Sequence, residues 1–226
     1  MKYELGIIGG MGSLATVILF DYIVRHTRAS SDQEHINTVI LNHALLPDRT
    51  QIILSGKRQD FLEEIKKDFE VLNNLGVKAI GIPCNTSHYF YDEMKKMTQA
   101  HLINMVEETV IHCKNAGVEK VTVFATEGTV QAGVYHKYAE KHGLEIQVPK
   151  QEDQDQISQI IYQVKETGKT HYPQIDELIQ FYGKDTKVIL ACTELSTLHI
   201  KEENTLDALK VLGNRAIEIC ERKVII

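Results

Sequence analysis

Short, nearly unbroken apolar runs alternate along this chain with longer stretches in which apolar residues recur every three or four positions. The runs are LGIIG (5–9), TVILN (38–42), KAIGI (78–82), VTVFA (121–125), EIQV (145–148) and KVILA (187–191). They are rich in Val and Ile and show little polar alternation, as strands buried on both faces require. Helical spacing links Phe61, Leu62, Ile65, Phe69 and Leu72, then Ile157, Ile160, Ile161 and Val164, and later Leu206, Leu209, Leu212, Ala216 and Ile219. Strand and helix in alternation predict an α/β fold with mainly parallel sheets. Ligands in such folds collect beyond the carboxyl ends of the strands.

The pattern occurs twice. A first strand runs into GGMGSLAT (9–16) and a helix, and a later strand ends in PCNTSH (83–88). A second set runs from a strand into ATEGTVQAG (125–133) and a helix, and a later strand ends in ACTELS (191–196). This reads as a tandem duplication of one α/β unit, joined near residues 100–118. The last helix, about 206–223, is expected to pack back on the first unit. The domains are then 1–104 plus 207–226, carrying Cys84, and 105–206, carrying Cys192. No Pro/Gly/Ser-rich linker separates them, so the units should be closely docked.

Composition narrows the partners. The chain has 226 residues, 43% of them hydrophobic, and a formal net charge of -6 from 25 Lys and Arg against 31 Asp and Glu. Nucleic acid and anionic membrane surfaces need a basic footprint, so neither is expected. No apolar run reaches the roughly 20 residues of a spanning helix. MKYELGIIGGMG has no signal-peptide pattern, and a cytoplasmic protein is expected. Four cysteines without a C-x-x-C pair suggest free thiols rather than a disulfide framework. Cofactor motifs also fail. GIIGGMG is not G-x-G-x-x-G, TVILN ends in Asn42 rather than an acid, and there is no G-K-[ST] loop or clustered His/Cys set.

The cysteines divide into two kinds. Cys113 continues the spacing Val106, Val110, and Cys220 continues Leu212, Ala216, so both read as small buried hydrophobes on helices. Cys84 and Cys192 instead follow apolar strands and precede small polar residues, among them Asn85, Thr86, Ser87 and Thr193. Such residues suit a helix N-cap, where a thiol's pKa is expected to fall. Two acid–base groups at matching points of two related units face each other across the cleft between them. That arrangement suits inversion of a carbon centre, with a proton leaving one face and another arriving on the opposite face.

At these residues the chain resembles the cofactor-independent aspartate/glutamate racemase family, and within it the aspartate racemases. The matching stretches are IGGMGSLAT (8–16), DQEH (32–35), PDRT (47–50), PCNTSHYF (83–90), INMVEET (103–109), ATEGT (125–129), EDQ (152–154) and ACTEL (191–195). The resemblance implies two Rossmann-like, flavodoxin-like domains related by a pseudo-twofold axis, with the active site between them. It implies a homodimer, no pyridoxal phosphate and no metal, with Cys84 and Cys192 as the paired bases. It further implies that Arg49 and Lys165 hold a side-chain carboxylate. Met11 would line the substrate site, and Asn85, Thr86, Thr126 and Thr193 would hold the α-carboxylate. Plainer roles stay open for these residues: a loop turn for Arg49, a solvated helix end for Lys165, and N-capping for Asn85, Thr86, Thr126 and Thr193. Ser13, Ser87 and Ala191 depart from the family pattern, which usually has Pro, Ala and Gly there. His88, one helical turn after Cys84, reads as a polar residue near a helix start that is close enough to interact with it. The substrate implied is aspartate, with glutamate, both acids, or isomerisation or decarboxylation of small diacids as alternatives. A two-lobed amino-acid-binding protein is the non-enzyme reading.

Overall fold

The computed structural model describes residues 2–198, 200 and 203–225. Its first sheet contains β1 (Leu5–Gly9), β2 (Thr38–Asn42), β3 (Ala79–Gly81) and β4 (His101–Leu102). The second contains β5 (Lys120–Phe124), β6 (Glu145–Gln147), β7 (Lys187–Leu190) and β8 (Thr205–Asp207). Both are wholly parallel, and both have the same order, β2-β1-β3-β4 and β6-β5-β7-β8. The predicted α/β architecture and its internal repeat are therefore present. In each sheet the strand order reverses beside the first strand, between β1 and β3 and between β5 and β7. That switch point opens a crevice at the carboxyl ends of the strands.

The helices are α1 (Ser13–His26), α2 (Arg49–Ser55), α3 (Arg58–Leu75), α4 (Tyr91–Met94), α5 (Met105–Asn115), α6 (Glu127–Gln131), α7 (His136–His142), α8 (Gln151–Thr167), α9 (Pro173–Tyr182) and α10 (Ala208–Ile219). Two of the apolar stripes read from the sequence face the core. Phe61, Ile65, Phe69 and Leu72 of α3 are buried against the first sheet, and Ile157, Ile160, Ile161 and Val164 of α8 against the second. A third cluster runs through both halves. It joins Leu5, Ile7 and Ala79 of the first sheet to Val121, Val123 and Ile189 of the second, through residues of α1, α5 and α10. α10 packs on α1 and β3 of the first half and on α5 of the second.

Two details differ from the sequence reading. Leu206 lies in β8, and the last helix begins at Ala208, with the Asp207 carboxylate accepting from Leu209 N–H at 2.9 Å. The apolar spacing carries on through the strand by coincidence, and the cap marks the real start. Among the described residues, no helix is long and apolar enough to cross a membrane.

Candidate active site

The loop after β1 turns sharply at Gly10, whose φ is +89°. The Thr16 side-chain oxygen ties the turn, accepting from Gly10 N–H at 3.0 Å and donating to Gly12 O at 2.9 Å. Met11 is thereby carried, buried, to the end of the sheet. Cys84 follows β3 after Ile82 and Pro83, while Thr126 and Cys192 lie just beyond β5 and β7. α2 contributes Arg49 as its first residue, after Asp48, whose side chain caps the helix by accepting from Gln51 N–H at 2.9 Å. The amphipathic stripe of α8 buries Val164 and leaves Lys165 in the last turn, before the left-handed Gly168 cap.

These pieces line one cavity. Its walls include both thiols, together with Met11, Arg49, Asn85, Thr86, Thr126, Lys165 and Thr193, so every site residue expected from the sequence is there. Asp48, Thr50 and Glu194, which sequence reasoning did not single out, complete the lining. The free space is about 10 Å³, room for roughly one water molecule. A wider outer chamber of about 480 Å³ adjoins it and shares Met11, Asp48, Arg49, Lys165 and Glu194 with it.

The threonines join the two halves instead of capping helices. Thr86 Oγ1 lies 2.8 Å from Thr129 Oγ1 and 3.3 Å from Thr126 Oγ1, and Thr126 lies 3.1 Å from Thr129. Gly128 permits this closeness, since a Cβ there would sit 2.9 Å from Thr50 Cα. Thr193 donates to Pro83 O at 3.3 Å, again across the halves. Asn85 accepts at Oδ1 from the Tyr135 hydroxyl at 2.7 Å. Its Nδ2 is buried with no hydrogen-bond partner, and so is Nε of Arg49. A buried donor without an acceptor costs about 1–3 kcal/mol. Both residues line the cavity.

At Cys192 the expected helix-dipole activation does not hold. Asn85 and Thr86 open a 3-10 segment, Thr86–Phe90, that runs directly into α4 and a further 3-10 turn, Lys95–Met97, whereas the turn after Cys192 is the isolated Leu195–Thr197. The three residues of that turn cannot sum a macrodipole worth the name. Cys192 is moved the other way: burial, and after it the nearby Glu194 carboxylate, raise its pKa well above the usual thiol value, while Lys165 opposes them. The Cys192 thiol donates to Glu194 Oε2 at 2.9 Å, and Glu194 Oε1 lies 3.9 Å from Lys165 Nζ. Lys165 loses by burial but gains more from Glu194, Cys192 and Cys84, so its pKa is raised and it stays cationic. Cys113 and Cys220 are buried in the core, and desolvation pushes both thiols up to about 11.

His88 does meet Cys84, but through the backbone. Met105 N–H donates to His88 Nε2 at 3.1 Å, so Nδ1 carries the proton and donates to Cys84 O at 2.8 Å. Ser87 Oγ donates to the same carbonyl at 2.8 Å. Burial, outweighing these backbone bonds, lowers the His88 pKa from 6.5. The folded ring is neutral while the unfolded one protonates first. The stabilisation is therefore complete above about 6.5 and declines as pH falls below it. The melting temperature is expected to fall between pH 7 and pH 5, with a shallower slope in His88→Gln; equal slopes in both proteins would remove His88 as a cause.

Among the described residues, no group of three or more His, Cys, Asp or Glu side chains is placed to hold a metal ion. Comparison with known proteins places the whole molecule. Residues 8–217 match the family model described as Asp/Glu/Hydantoin racemase. The broad specificity amino-acid racemase RacX of Bacillus subtilis (strain 168) is 26% identical over 208 residues, covering 88% of this chain and 89% of that protein. Among solved structures, the aspartate racemase of Picrophilus torridus superposes with a TM-score of 0.83 at 26% identity, covering 98% of this chain and 96% of its own. The glutamate racemase of Francisella tularensis subsp. tularensis SCHU S4, solved in complex with D-glutamate, shares the fold with a TM-score of 0.67 at 19% identity, covering 96% and 81%.

Proposed function

This chain belongs to the Asp/Glu/Hydantoin racemase family, and on that premise we propose that it interconverts L- and D-aspartate with Cys84 and Cys192 as paired acid–base groups. Amino-acid racemase activity comes with the family and its relatives; the substrate and the residue roles are the proposal. One thiolate takes the α-proton while the opposite thiol delivers a proton to the other face, so the carbon inverts without the substrate turning over. Arg49 and Lys165 hold the side-chain carboxylate, the first through a planar fork and the second as a compact charge. Asn85 Nδ2, Thr86, Thr126 and Thr193 hold the α-carboxylate and the charge that develops on it. The carrying observation is that thiols from corresponding ends of two like sheets line one cavity together with two cations. The same proposal includes a cytoplasmic homodimer divided into 1–104 plus 207–226 and 105–206, acting without pyridoxal phosphate or metal.

A second reading extends the substrate to glutamate or to several amino acids. It is favoured by the outer chamber beside the site and by the breadth named for the Bacillus subtilis relative. One methylene discriminates by only about 1–3 kcal/mol.

The test supplies purified protein, without added cofactor, with L-aspartate, L-glutamate and maleate in heavy water. D-aspartate carrying deuterium at Cα is expected; turnover of maleate alone would replace racemisation with diacid isomerisation. Arg49→Ala is expected to lower kcat/KM for aspartate about 10–10²-fold, the worth of a hydrogen bond to a charged group, and to affect a neutral amino acid far less. An equal loss for both would take Arg49 out of the side-chain subsite.

A further inference from the structure

The two thiols are built into unequal surroundings. The Cys192 thiol is hydrogen-bonded to the Glu194 carboxylate at 2.9 Å, while no carboxylate is recorded within hydrogen-bond reach of Cys84 among the described residues. Glu194 is itself buried, and it lines both the inner cavity and the outer chamber. The other titratable or charged groups around Cys192 are Lys165 from α8, Asp48 and Arg49 from α2, Cys84 after β3 and Tyr135 before α7. Lys165 faces both thiols and so does not distinguish them. Glu194 does.

We propose that Glu194 sets the starting state of the pair, holding Cys192 as the proton-bearing thiol and leaving Cys84 to act as the first base. This rests on the two-base reading above and names a positioning residue for it. An ionised sulfur 2.9 Å from a carboxylate is a like-charge pair, which a protonated sulfur turns into a hydrogen bond. The first half of a turnover moves the α-proton to the Cys84 sulfur, and the Cys192 S–H proton goes to the opposite face of the carbon. Cys192 is then a thiolate beside Glu194. Resetting requires one proton to leave Cys84 for water and one to return from water to Cys192. Glu194 spans the way from the outer chamber to that sulfur and can carry the returning proton.

An unequal resting pair has a kinetic signature. Enantiomers have an equilibrium constant of one, so kcat/KM is the same in both directions. With the reset fast relative to chemistry, as in buffer concentrated enough that kcat no longer depends on it, the enantiomer that needs the minority form, with Cys192 ionised and Cys84 protonated, shows a kcat and a KM raised by one common factor. Glu194→Gln keeps the shape and removes the charge. It is expected to shrink that common factor about tenfold.

Site-resolved alkylation by iodoacetamide, read by mass spectrometry across pH on the full chain, gives a measure independent of turnover. Cys84 is expected to react at lower pH than Cys192. In Glu194→Gln, Cys192 alone is expected to speed up, about tenfold at pH 8, with Cys84, Cys113 and Cys220 unchanged. An unchanged Cys192 rate, or a rise shared by all four thiols, overturns the proposal. Should Glu194→Gln fail to fold, Glu194→Asp withdraws the carboxylate by one methylene and must accelerate Cys192 alone by a smaller factor; no acceleration counts against the proposal equally. If no amino acid is racemised yet the Cys192 shift is found, the two-base reading fails, and with it the role of Cys84 as first base, while the hold of Glu194 on the Cys192 proton stands. If racemisation is found without the shift, the reverse holds.

Discussion

Cys84→Ala and Cys192→Ala are each expected to lower racemisation by at least about 10²–10⁴-fold, the usual loss on removing a positioned acid or base. The two losses should be of similar size, because inversion needs both faces of the carbon to be served. Neither thiol can cover for the other: each stands at the end of its own sheet, after β3 or β7, and one cavity lies between them. Each single variant still has one base. It can remove and return a proton on one face, so exchange of the α-hydrogen of one enantiomer should outlast inversion. The measurements are chirality by chiral chromatography and deuterium uptake by mass spectrometry, on the same samples. Full racemisation by either variant would sink the two-base proposal. The folds should persist, since each change removes one sulfur from a small buried side chain.

Gly10→Ala is expected to destabilise the protein by about 2–4 kcal/mol, combining an unfavourable backbone with a steric clash. The φ of +89° is one that side chains other than glycine rarely adopt. A Cβ there would lie 2.3 Å from the carbonyl carbon of His43 and 2.6 Å from Ala44 N, and neither backbone atom can swing aside. For a chain of this size the loss corresponds to roughly 5–15 °C in melting temperature. The same turn delivers Met11 to the wall shared by the two chambers, so activity should fall further than stability alone accounts for. A melting temperature within about 2 °C of the parent would show that the loop relaxes at little cost.

The architecture was legible because its central strands are buried on both faces. Runs such as LGIIG and KVILA advertise that burial directly. β4 and β8 were not legible, since two residues (His101–Leu102) or three (Thr205–Asp207) carry no period of their own. They exist because neighbouring strands offer them partners. The site was legible at Cys84 and Cys192 through their matched positions, and at Arg49 and Lys165 through family motifs. Glu194 lies within ACTEL, but no spacing rule makes a residue two positions on the partner of a thiol; only the turn after β7 brings it there. Thr129 and Tyr135 escaped notice for a similar reason. Their hydroxyls matter through contacts with Thr86 and Asn85, which are far away in sequence. At Cys192 the dipole expected from the small polar residues is missing because the chain forms a single 3-10 turn there, Leu195–Thr197, where a full helix was expected.

Thr86 and Thr126 line the inner cavity and not the outer chamber, and both bond to Thr129. Thr50 meets Thr126 at the same seam and abuts Gly128. Arg49, its neighbour in the chain, is thereby moored where the two halves are stitched together, and its guanidinium owes its position to both of them.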